Sequence, residues 1–135
     1  MSRDRVIRTA LWASVALNLV GVVLFTPAAL GSSAELMSIP APRFWVAQVG
    51  ITIALFAGVY GWLAMQREID RPLLLVGALG KLAFFGLVLA YWLAGDLPGR
   101  IVPQAAPDLV LGSVFIWWLR SDRRQAPAFF SLPAV

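Results

Sequence analysis

One cation, Lys81, stands inside the apolar run from Pro72 to Leu93. A charged side chain at the centre of a bilayer costs ~2.5–3.5 kcal/mol even on the lenient insertion scale, so it requires a partner, a water path or a task. Two other polar residues fall at a matching depth. Lys81 comes about ten residues after Arg71, ~15 Å in from the basic boundary at 1.5 Å per residue, and Asn18 stands the same distance after Arg8. Asp108 precedes Arg120 by about twelve residues, or ~18 Å. Three segments thus contribute to one layer near the middle of a ~30 Å hydrocarbon core.

Two kinds of chemistry suit a layer of Asn18, Lys81 and Asp108. In a structural layer, Lys81 and Asp108 form a buried salt bridge, Asn18 satisfies a spare donor or acceptor, and the trio sets helix register. In a functional layer, the same groups line a water- or ligand-filled cavity, where the lysine or aspartate binds an anion or passes a proton. Small neighbours support an inward orientation for each: Ser14 lies one turn before Asn18, Gly77 one turn before Lys81, and Gly112 one turn after Asp108. Tyr60, with its phenolic hydroxyl, is expected to stand behind these residues as a supporting group.

The composition removes many alternatives. The chain has no His and no Cys, so disulfides, thiol catalysis and His- or Cys-ligated haem, zinc or iron–sulfur groups have no ligands here. Its scattered carboxylates do not converge on a metal, and no phosphate-binding glycine loop or nucleophile elbow occurs. No catalytic residue, cofactor or metal ligand is assigned, and a stand-alone enzyme is not expected.

The elements that position the layer follow from hydropathy. Of 135 residues, 60% are hydrophobic and 13% charged, against roughly a quarter charged in a soluble domain. Four apolar segments, 6–25, 44–65, 72–94 and 104–119, have lengths near the ~20 residues that span a bilayer. The expected fold is all-α: an antiparallel transmembrane four-helix bundle in one domain, 1–120, followed by a cytoplasmic tail, 121–135. The fourth span is expected to be the shortest. The turn Gln66 to Arg71 is short enough to make the second and third helices neighbours, with Pro72 in the first turn of the third.

Arg3, Arg5, Arg8, Arg67, Arg71, Arg120, Arg123 and Arg124 fall on one side of these spans, against Arg43 and Arg100 on the other. The positive-inside rule therefore places both termini and the Gln66 to Arg71 turn in the cytoplasm, as for a multi-pass protein of the cytoplasmic membrane. The net charge of +4 is a topology signal rather than a nucleic-acid footprint. Trp12, Trp62, Trp117 and Trp118 would mark the inner interface, and Trp45, Tyr91 and Trp92 the outer one. The alternative use of these aromatics is a ligand cage. An alternative for the first segment is a secretory signal ending near Ala28, although its apolar stretch exceeds the usual ~7–15 residues. In the loop from Pro27 to Pro42, Ser32-Ser33-Ala34-Glu35 reads as a capping box opening a short helix. Gly95 to Arg100, with Pro103 and Pro107, reads as the second outer connection.

The pattern resembles small bacterial DoxX-like membrane proteins. The similar positions are Asn18, Gly21 and Pro27 around the first helix, Gln48 and Gly50 entering the second, Arg71 followed by Gly77-Ala78-Leu79-Gly80-Lys81, and Asp108 opening the fourth. The resemblance implies a four-helix bundle and, in some cases, a small membrane subunit of quinone-linked or redox-protective complexes. Gln48 stands where an acidic residue often opens the second helix in that pattern. Small multidrug exporters also have four helices, but they carry a membrane-embedded Glu where this chain has Asn18.

The function expected is therefore an accessory or small-molecule-binding membrane subunit. The alternatives are a small oligomeric transporter or channel for an anionic or polar substrate, and a purely structural assembly factor. The expected partners are the lipid bilayer and a membrane protein or second copy, without nucleic acid.

Overall fold

The computed structural model describes residues 2–30 and 42–122. The 32–35 capping box, Arg123, Arg124 and most of the 121–135 tail lie outside the described residues. Four helices account for nearly all of the rest: α1 (Arg3–Ala29), α2 (Arg43–Met65), α3 (Arg71–Leu93) and α4 (Ile101–Asp122). All four are long and apolar enough to cross a membrane.

Local chemistry accounts for the helix ends. Asp70 caps α3, its carboxylate accepting from Leu73 N at 2.9 Å, and Pro72 occupies the first turn, where no amide donor is needed. Gly95, at φ +86°, turns the chain out of α3 in a conformation that favours glycine. The fourth helix is the shortest of the four, as expected, but with 22 residues it extends beyond the 104–119 span and takes in both prolines assigned to the connection. Pro103 falls in its first turn and is tolerated there. Pro107 lies one turn further and gives up a single backbone bond in an otherwise apolar helix. Likewise α1 continues through Pro27 to Ala29.

Packing is unequal. The main contacts are α1 with α2 and α3 with α4, whereas α2 meets α3 over a small area despite the short turn between them. This corrects the expectation that the turn alone makes α2 and α3 close neighbours along their length. The end that carries Arg3, Ser121 and the 66–70 turn is called the terminal end here, because Arg3 donates to Ser121 O at 3.4 Å. Residues 94–100 lie at the opposite, loop end.

The hydrophobic core occupies only the terminal half. It is built from Ile7 and Leu11 of α1, Tyr60 and Leu63 of α2, Leu74 and Ala78 of α3, and Phe115, Trp118 and Leu119 of α4. Two arginines tie this half together. Arg8 donates to Ala64 O at 2.6 Å and to Arg67 O at 2.9 Å, and Arg71 donates to Leu119 O at 2.6 Å with its guanidinium over the Trp118 ring. Ala64 O and Leu119 O are last-turn carbonyls of α2 and α4, which lack donors within their own helices, and Arg67 O belongs to the turn after α2.

Toward the loop end the core stops at the level of Lys81. Among the described residues only Val46, Val88 and Ala105 are buried hydrophobics beyond it. The α2 and α3 faces meet at Tyr60 against Gly77 and at Phe56 beside Gly80. Continuing along those same faces, Val49 is 43% exposed, Phe84 50% and Leu87 56%. The α2–α3 contact is made at Tyr60 and Phe56, and the side chains that continue these faces toward the loop end are exposed.

Candidate functional site

The Lys81–Asp108 pair lies at the level where the core ends. Lys81 Nζ donates to Asp108 Oδ1 at 2.6 Å, closing an ion pair between α3 and α4. The partners are unequally covered, Lys81 being 4% exposed and Asp108 17%. Tyr60 seals the lysine from the α2 side, its ring centroid 5.1 Å from Nζ and its hydroxyl donating to Gly77 O at 3.1 Å. A cation over an aromatic face is attracted by the ring quadrupole, and more so where water is excluded. Phe56 and Phe115 flank the tyrosine, with ring centroids at 6.0 and 5.8 Å.

Two glycines make this approach feasible. A Cβ at Gly77 would fall 2.7 Å from the Tyr60 ring, and one at Gly112 would fall 2.9 Å from Leu82 and 3.3 Å from Ala78 O. Gly77 and Gly112 are thus points of close helix approach, as membrane bundles use small residues. Among the described residues no buried side-chain nitrogen or oxygen lacks a hydrogen-bond partner.

Asn18 does not complete a trio. Its amide nitrogen donates to Ile53 O at 3.1 Å, so it is spent on α2 within the α1/α2 pair and leaves the ion pair to itself. Equal depth placed Asn18 with Lys81 and Asp108, but depth does not set azimuth. Ser14 is buried in the terminal half and bonds back to Ala10 O at 2.9 Å, a local contact that satisfies its hydroxyl without reaching Asn18. Tyr60 has the opposite history: expected as a supporting group, it lies in direct contact with the lysine.

The signal for Tyr60 was present in its depth, about five residues before Met65 against ten for Lys81, which leaves a ring's length between them along the axis. The roles of Arg8 and Arg71 as donors to another helix's last carbonyls were not legible, since they depend on which helices adjoin. Among the described residues, no group of three or more acidic, His or Cys side chains could hold a metal ion.

No family model, curated protein or solved structure matches this chain.

Proposed function

We propose that this chain is an accessory membrane subunit that binds a small amphiphilic molecule between its two helix pairs, above the Lys81–Asp108 floor. One observation carries the reading: the core ends at that ion pair, and apolar side chains beyond it, on faces that would continue the α2–α3 contact, remain exposed. An apolar space with one polar group at its base suits a ligand with an apolar body and a hydrogen-bonding head. Asp108, the more accessible partner, would accept from that head through the oxygen that Lys81 does not hold. Val49, Phe84 and Leu87 would contact the body.

In this proposal the helices are antiparallel, with both termini in the cytoplasm of a bacterium and the loop end facing outward. The descending order of partners supports that arrangement: Arg8 with Ala64, Asn18 with Ile53, and Phe25 beside Gly50. The arginine distribution supports the orientation. A transporter using Lys81 on its conduction path fits less well, because Lys81 lies beneath Tyr60 and is nearly without accessible surface.

The test is native mass spectrometry of protein extracted in mild detergent. Wild type is expected to carry a small-molecule adduct of defined mass, and Phe84→Trp, which fills the space, to lose it while remaining folded by circular dichroism. A wild-type protein free of any adduct, or an adduct indifferent to Phe84→Trp, would refute the proposal.

A further inference from the structure

A second feature lies at the terminal end, away from the proposed ligand space. A groove of about 570 Å³ runs along the outer side of α4. Arg3, Arg120 and Ser121 line one end, and Trp117, Ile116 and Leu82 continue it toward mid-membrane. Among the described residues no carboxylate lines it. From Ser121 to Ser113, both lining residues, α4 rises ~12 Å at 1.5 Å per residue, so the groove is elongated along the helix axis.

We infer that this groove is a binding site for one anionic phospholipid of the leaflet at the terminal end. The charge gradient is the argument. Two guanidiniums sit where a phosphate would lie at the bilayer surface, and the wall becomes apolar in the direction an acyl chain must take. Arginine presents a planar fork of donors that matches phosphate oxygens. Arg3 is held at the rim by its bond to Ser121 O, which restricts the fork before the lipid arrives. Trp117 is half-exposed beside them, as expected of an indole at a headgroup boundary. A zwitterionic lipid would meet the same apolar wall but bring its own cation to two guanidiniums, and it is disfavoured. The site requires that the helices span a bilayer but is independent of any ligand above Lys81.

The probe is phosphatidylglycerol titrated against phosphatidylcholine of the same chains, with the full chain in detergent micelles and bound lipid counted by native mass spectrometry. Wild type should bind one phosphatidylglycerol in preference to phosphatidylcholine. At roughly 1 kcal/mol per basic residue near the surface, Arg3→Gln or Arg120→Gln should each reduce that preference ~5-fold, and the double variant ~30-fold. Arg3→Lys with Arg120→Lys should retain most of it and acts as the control for folding. Glycerol 3-phosphate tests the headgroup alone and should not displace the lipid at equal concentration. Equal binding of the two lipids by wild type, an unchanged preference in the double Gln variant, or full displacement by glycerol 3-phosphate would overturn the assignment. Phe84→Trp should leave this lipid in place, which separates the result from that of the proposed ligand space.

Discussion

Breaking the Lys81–Asp108 pair from each side should give unequal results. Removing one member of a buried ion pair costs about 3–5 kcal/mol, mainly because the other charge is left without compensation. Here the survivors differ. After Asp108→Leu, the ammonium of Lys81 remains under Tyr60 with 4% exposure and its carboxylate partner gone, so the full ~3–5 kcal/mol applies. After Lys81→Met, Asp108 retains 17% exposure and can be reached by solvent, so the loss should fall to roughly 2–3 kcal/mol, near the insertion cost of a single charge. In Lys81→Met/Asp108→Leu no charge is left behind, and the double variant should recover to within about 1–2 kcal/mol of wild type. The assay is reversible unfolding in mixed micelles followed by circular dichroism, with the four proteins forming a double-mutant cycle. Additive losses, with the double variant the least stable, would refute the reasoning. Equal losses for the two single variants would refute the part that assigns Tyr60 as the seal.

Three further outcomes follow from the geometry. Gly112→Val places methyl groups into Leu82 and should destabilise the α3/α4 pair by about 1–3 kcal/mol or more, seen as reduced folded yield, whereas Gly58→Ala, with open space around it, should be nearly neutral. Tyr60→Phe retains the ring over Lys81 but removes the bond to Gly77 O, so unfolding measurements should show a loss of only about 0.5–1.5 kcal/mol, and Tyr60→Ala should lose more. Asn18→Leu removes one interhelical bond to Ile53 O and should cost about 0.6 kcal/mol, additive with any change at Lys81, because the two sites share no partner.

The four helices were legible because hydropathy and length suffice to define apolar spans, and Asp70-Arg71-Pro72 carries its own start signal. The fourth helix was underestimated because Pro103 and Pro107 read as breakers, although a proline in a first turn costs little and an apolar context extends the helix past the next. Lys81 with Asp108 was recoverable from depth, since two charges at one height in hydrocarbon have strong reason to meet. Asn18 was not, because its azimuth depends on the angle between α1 and α2. The exposure of the α2 and α3 faces beyond Lys81 was also hidden. Val49, Phe84 and Leu87 have the composition of core residues, and only their neighbours decide whether they face a helix or an opening.

The central claim is that α2 and α3 are joined at Phe56 and Gly80 and separate toward the loop end. The chain has no native cysteine, so paired cysteines report on this without background. With one short bifunctional thiol reagent in native membranes, Phe56→Cys/Gly80→Cys should be cross-linked efficiently and Val49→Cys/Leu87→Cys, two turns further on the same faces, should not. Equal cross-linking of the two pairs would contradict the account.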